Sequence, residues 1–199
     1  MILPIIAYGD PILRKLCEEI DPSYANIQDF IDDLFETMNA ANGVGLAAPQ
    51  VGRSIRLFIV DTSPLAEEED DPTLADFKKV FINPEMLSEE GEPWDFNEGC
   101  LSIPEVREDV KRKPYIQIRY YDREFKQHME RFSDLPARII QHEYDHIEGV
   151  LFTDHLNPLK KRLLKRKLTD WERSRTKSTE YARFAKGIVD HHVAWTFST

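Results

Sequence analysis

The sequence predicts an α+β fold: antiparallel sheets packed around a central helix that carries an HExxH motif, with a further helix on the C-terminal side. Three observations predict it. Ile27, Phe30, Ile31, Leu34, Phe35 and Met38 recur at helical spacing. Residues 106–110, 115–121 and 125–132 alternate in the manner of antiparallel strands. Gln141-His142-Glu143-Tyr144-Asp145-His146 falls in a second helical segment, entered at Ser133 or Asp134, with Pro136 in its first turn and Gly149 as its stop. Strands dominate the middle and helices flank it.

At 199 residues the chain is one domain, or one domain with an appendage, and is long enough for a sizeable core. Its apolar and charged fractions, 41% and 31%, are those of a soluble globular protein. No apolar run approaches a membrane span. The opening Met1-Ile2-Leu3-Pro4-Ile5-Ile6-Ala7 has neither a basic n-region nor a long apolar stretch, so a cytoplasmic protein with no membrane role is expected. A disulfide between the only cysteines, Cys17 and Cys100, is not needed in that setting, and Cys17 reads as a packing residue. The net charge of −10 is split: residues 160–186 hold 11 Lys/Arg against Asp170, Glu172 and Glu180, and the chain before them is strongly acidic. A basic C-terminal segment on an acidic body suggests a polyanionic partner for that segment.

Taken in order, Asp10-Pro11 starts a short helical segment as N-cap and first turn. A longer helix is expected over residues 24–41, ending at Asn42-Gly43. Gly43-Val44-Gly45-Leu46-Ala47-Ala48-Pro49-Gln50 follows; its glycines let the backbone come close to another chain segment or to an extended ligand. It lacks the Lys-Ser/Thr of a phosphate loop. Residues 55–61 and 80–84 read as strands, the second ended by Asn83-Pro84. The acidic residues 62–76 between them read as a solvated, mobile loop without calcium-loop spacing. Asp122-Arg123-Glu124 is a hairpin loop. A last helix starts at Asn157-Pro158, with Leu159, Leu163, Leu164, Leu168 and Trp171 available to dock on the body and six Lys/Arg left in solvent.

His142 and His146 are one helical turn apart, so both imidazoles can ligate one ion, with Glu143 beside them as an acid/base group. A third ligand is required. Glu172 is one candidate, but it lies in the basic helix. Cys100 is the better one: a thiolate, two imidazoles and a water form an open tetrahedral site. Gly99, Ser102 and Glu98 around Cys100 suit an exposed functional turn better than a core strand.

Three stretches now coincide: residues 43–50, Glu98-Gly99-Cys100-Leu101-Ser102, and residues 141–146. In this order and spacing they resemble peptide deformylase of the bacterial type. The resemblance covers about residues 1–170, including Tyr8-Gly9-Asp10-Pro11-Ile12-Leu13-Arg14. It implies removal of the formyl group from the N-terminal formylmethionine of new polypeptides. It implies Cys100, His142 and His146 as metal ligands, Glu143 as acid/base, and Gln50 with the Leu101 N–H as oxyanion donors. It implies one Fe²⁺ per chain, replaceable by Ni²⁺, Co²⁺ or Zn²⁺, where the donor set alone suggests zinc. Substrate would lie along Val44, Gly45 and Gly99, its methionine side chain in a pocket lined by Val44, Leu135 and Ile139. Glu98 and Arg107 match a supporting ion pair. Residues 1–156 then read as the catalytic domain, 157–175 as a basic helix packed on it that docks on ribosomal RNA, and 176–199 as a tail expected to be disordered; no oligomer is required. The acidic segment is longer than in the short bacterial forms. The rival classes are an HExxH endopeptidase with an acidic third ligand, a non-catalytic deformylase-like ribosome-associated factor and an inactive metal-storage or structural site; the last two have no use for Glu143 and Gln50.

Overall fold

The computed structural model describes residues 1–66 and 69–175. Among the described residues, seven strands and three α-helices are arranged as β1 (Gly45–Ala47), β2 (Leu57–Asp61), β3 (Lys78–Glu90), β4 (Trp94–Cys100), β5 (Ile103–Arg112), β6 (Tyr115–Tyr121), β7 (Gln127–Ser133), with α1 (Ile27–Ala40) before β1, and α2 (Asp134–Ile147) and then α3 (Pro158–Arg175) after β7. β1-β2-β3-β6-β7 form a five-stranded sheet in that order, and β4-β5 a two-stranded sheet. Every strand pair is antiparallel. The mixed helix-and-antiparallel-sheet class is the expected one.

The strand β2 explains how the layers stack. All five of its residues are buried, and they alternate between two cores. Phe58 and Val60 join Ala137, Ile139, Ile140 and Ile147 of α2. Leu57 and Ile59 join Ile27, Phe30, Ile31, Leu34 and Met38 of α1. Each fully buried Leu, Ile or Phe contributes about 1.5–3 kcal/mol relative to exposure. A third cluster packs Cys100, Ile103, Val106 and Val110 of β4-β5 on Leu151, Phe152, Leu156 and Leu168.

Local chemistry moved several expected boundaries. α1 begins at Ile27, not residue 24, because Asn26 sits in the left-handed region at φ 57°. The short strand expected to stop at Pro84 is β3, thirteen residues long. Asn83 takes φ 47°, a register shift lies between Ile82 and Glu85, and Pro84 falls inside that irregularity, where no ladder hydrogen bond is demanded of it. The Asn83 amide also closes the loop before α1, accepting from the Ile20 N–H at 3.0 Å and donating to the Ile20 carbonyl at 2.7 Å. The acidic stretch expected as a mobile loop is tied down at both ends. Its 3₁₀ turns Ser63–Leu65 and Pro72–Leu74 bury Leu65 and Leu74, and the Thr62 hydroxyl donates to the Leu74 carbonyl at 2.7 Å. On α3, Leu168 is buried and Leu164 partly so, whereas Leu159 and Leu163 are each 68% exposed. They lie roughly 100° or more around the helix from the Leu164/Leu168 stripe, so they cannot share its contact. The Trp171 side chain, Glu67, Glu68 and the tail 176–199 lie outside the described residues.

α2 ends as a Schellman motif: the Gly149 N–H donates to the His146 carbonyl and the Val150 N–H to the Asp145 carbonyl. Gly149 has φ 72°, and a Cβ there would stand 2.7 Å from the Arg14 carbonyl oxygen. Gly149→Ala is therefore expected to destabilise the protein by about 1–3 kcal/mol, read as a lowered urea midpoint; an unchanged midpoint contradicts the packing of α2 against the Arg14 turn.

Candidate metal centre

β4, the turn Leu101-Ser102 and β5 bring one side of the site, and α2 brings the other. The turn expected to be exposed is buried throughout: Glu98, Gly99, Cys100, Leu101 and Ser102 are all covered. Leu101 joins the core cluster of α1, and Ser102 is held by the Tyr8 N–H and Gln50 Nε2, so the turn is covered instead of projecting into solvent. The other new feature is β4 itself, which pairs with β5 from Trp94↔Arg112 to Cys100↔Ile103.

Cys100, His142 and His146 are buried, and one donor atom from each lies within 4.8 Å of the other two. Cys100 Sγ is 3.2 Å from His146 Nε2. With metal–ligand bonds of about 2.0–2.3 Å, two ligands of one tetrahedral ion stand ~3.5 Å apart, so the triad fits a single cation. His142 is held from behind: its Nδ1 meets Glu98 Oε2 at 3.0 Å, which leaves Nε2 for the ion. Burial pushes the His146 imidazole well below its ordinary pKa and so favours the neutral, ligating form. Glu172, the rival third ligand, lies on α3 among residues whose side chains are not described.

Glu98 is 0% exposed. Burial alone would raise its pKa, but the Arg112 guanidinium and the His142 hydrogen bond overcome this and hold it well below the usual carboxylate range. Its expected partner was Arg107. The structure instead gives this carboxylate Arg112, with Nε donating to Oε1 at 2.7 Å, and Arg138, with Nη1 donating to Oε1 at 2.7 Å. Arg107 Nε donates to Asn97 Oδ1 at 2.8 Å. Arg112 also reaches Asp145 at 2.8 Å, and Asp145 meets His155 Nε2 at 2.8 Å.

Gln50 sits in the 3₁₀ turn Ala48–Val51 and is buried. Its Oε1 accepts from the Ala47 N–H at 2.8 Å, which fixes the amide so that Nε2 faces Cys100 Sγ at 3.6 Å and Ser102 Oγ at 3.2 Å. Glu143 is 2% exposed, and its Oε2 has no hydrogen-bond partner among the described residues. Burial pushes this carboxyl up to about 7. A Cβ at position 45 would lie 2.8 Å from Glu143 Cδ; the glycine there makes room for that side chain. β1, which holds Gly45, is at the edge of the five-stranded sheet. Val44, Leu135 and Ile139 share one core cluster. Of these, Leu135 also lines a pocket of about 530 Å³ with Phe96, Trp94, Leu74 and, from the acidic segment, Glu69 and Asp71. Sequence reasoning did not find Arg112 or Arg138. The signals were present: Arg112 is in phase with the buried Val110 on β5, and Arg138 precedes His142 by one helical turn.

A buried thiol–imidazole triad that could hold a metal ion, beside a buried carboxyl whose Oε2 has no partner among the described residues, fits the class of metal-dependent hydrolases. The comparisons agree. The family model described as polypeptide deformylase matches residues 2–162. A peptide deformylase of Flavobacterium psychrophilum is 58% identical over 173 residues, 84% of this chain and 89% of that protein. One of Flavobacterium johnsoniae is 53% identical over 190 residues, 93% and 97% of the two chains. The solved peptide deformylase of Legionella pneumophila superimposes with TM-score 0.75 at 36% identity, covering 89% of this chain and 99% of that one. The chain belongs to the peptide deformylase family.

The donor set is expected to bind one Co²⁺ per chain with a thiolate-to-cobalt absorption band in the near ultraviolet. Cys100→Ala should abolish that band, and a band that persists in the variant would exclude Cys100 as a ligand.

Proposed function

We propose that this chain is a metal-dependent peptide deformylase that removes the formyl group from the N-terminal formylmethionine of newly made polypeptides and releases formate. The observation that carries the reading is the buried cluster of Cys100, His142 and His146, with Gln50 Nε2 3.6 Å from the Cys100 sulfur and the buried Glu143 next to His142 on α2. In it α2 is the central scaffold, presenting both imidazoles and Glu143. Cys100, His142 and His146 hold the ion. The native ion is Fe²⁺, with Ni²⁺, Co²⁺ or Zn²⁺ able to take its place.

When bound, the dication supplies Lewis acidity that brings the pKa of water towards ~7, so that hydroxide is available at neutral pH. The remaining steps belong to the protein. Glu143 accepts the proton from the attacking water as its oxygen bonds to the formyl carbon. The oxyanion that forms accepts hydrogen bonds from Gln50 Nε2 and the Leu101 N–H. The C–N bond then breaks, and Glu143 returns its proton to the departing amine nitrogen. The hydrogen bond from Ala47 to Gln50 Oε1 supports this role, because it presets the donor before substrate arrives. The edge position of β1 supports the binding mode: the main chain of Val44 and Gly45 can pair with an extended peptide as an added strand, with Gly99 across the cleft. Such pairing reads backbone and tolerates many sequences. The methionine side chain enters among Val44, Leu135 and Ile139.

Lys161, Arg162 and Lys165 of α3 are exposed. We read α3 as a ribosome contact, suited to an enzyme that meets its substrate as it is made, in the cytoplasm. Among the described residues no helix is long and apolar enough to cross a membrane.

Glu143→Ala is expected to lower formate release from formyl-Met-Ala-Ser by about 10²–10⁴-fold at unchanged metal content. Full activity in the variant would move the reading to another base. Replacing Lys161, Arg162, Lys165 and Arg166 with Ala is expected to weaken ribosome binding and flatten its salt dependence while formate release from the free peptide is kept; unchanged ribosome binding contradicts the docking role.

A further inference from the structure

Arg138 has no part in the chemistry above, yet its side chain is 1% exposed. It lies one turn before His142, so both project from the same face of α2. Both reach one carboxylate: Arg138 Nη1 donates to Glu98 Oε1 at 2.7 Å, and His142 Nδ1 meets Glu98 Oε2 at 3.0 Å. The same guanidinium donates to two main-chain carbonyls, Trp94 on β4 at 2.7 Å and Val110 on β5 at 3.1 Å. It also lies over the Trp94 ring, 4.2 Å from the centroid. A planar guanidinium can stack and span several acceptors at once; a lysine ammonium cannot.

The consequence follows from where these residues sit. Glu98 and Cys100 are two residues apart on β4, and both are buried. Arg138, His142 and His146 are on α2. A clamp from Arg138 to Glu98 and to both strands of the hairpin therefore sets the distance of the imidazoles from the Cys100 sulfur. Arg112 spans both oxygens of the carboxylate, with Nε on Oε1 at 2.7 Å and Nη2 on Oε2 at 3.1 Å. Together with His142 these bonds fill the acceptor capacity of Glu98, and it cannot turn without losing one.

We propose that Arg138 is a positioning residue of the metal centre: through Glu98 and the carbonyls of Trp94 and Val110 it orients the His142 imidazole, fixes the gap between α2 and Cys100, and so tightens metal binding. This rests on the metal-centre reading above.

The test uses Co²⁺ and the full chain, in the wild type, Arg138→Met, Arg138→Lys, Glu98→Gln and the Glu98→Gln/Arg138→Met double variant. Affinity is measured by chelator competition and the ligand field by the cobalt absorption spectrum. Arg138→Met is expected to weaken Co²⁺ binding by about 10–100-fold and to shift the spectrum. Arg138→Lys should recover only part of the loss. In the Glu98→Gln background, Arg138→Met should cost less than in the wild type, because only the route through the Trp94 and Val110 carbonyls is left intact. Wild-type affinity and spectrum in Arg138→Met overturn the proposal. So does a loss of the same size in both backgrounds, which marks a general structural effect. If Arg138→Met does not fold, wild-type affinity and spectrum in Arg138→Lys overturn it. A wild-type chain that binds no Co²⁺ overturns the metal-centre reading itself, and this proposal with it.

Discussion

A carboxylate with no exposed surface is the constraint on which the site depends. Burying a lone charge costs several kcal/mol, and leaving one partner of a buried pair uncompensated typically costs about 3–5 kcal/mol. Glu98 avoids this through Arg112, Arg138 and His142. Those three residues come from β5 and from two successive turns of α2. Satisfying one charge therefore forces a hairpin and a helix into a fixed relation. Cys100 is on the same strand as Glu98, and His146 is one turn beyond His142, so a thiol and two imidazoles that could hold a metal ion assemble as a consequence of that relation.

The rest of the molecule holds this arrangement still. Strands β1 and β2 are buried on both faces of the five-stranded sheet, with α2 on one side and α1 on the other. Its edge strand β1 places Gly45 against Glu143 and leads into the 3₁₀ turn that carries Gln50. The same short glycine-rich stretch thus makes room for Glu143, forms the edge strand of the sheet and delivers an amide beside Cys100. The pocket next to Leu135 receives Glu69 and Asp71 from the acidic segment, so that segment borders the region read as the substrate cleft.

Much of this was legible in the residues because it is local. Helical spacing gives α1 and α2, alternation gives β6 and β7, and a four-residue histidine spacing places two imidazoles on one helix face. What was not legible depends on long-range partners. β4 has no clean alternation, since Glu98 is buried by arginines distant in sequence. The same reason misled the choice of Arg107: sequence proximity and the family pattern gave no way to see that Arg112 and Arg138 reach the carboxylate. Pro84 was read as a stop because a bulge that absorbs a proline is set by the partner strand β6 and by Asn83 closing on Ile20. Leu159 and Leu163 were assigned to the docking face of α3, but only one stripe of that helix meets the third cluster.

The central claim is that Cys100, His142 and His146, brought together by the Glu98 clamp, form one metal centre. X-ray absorption fine structure of the full chain loaded with one equivalent of Zn²⁺ tests it most directly. The account expects one sulfur at about 2.3 Å and two imidazole nitrogens at about 2.0–2.1 Å, with a remaining light-atom position open to exchange. A first shell without sulfur, or with three or more imidazoles, would contradict it.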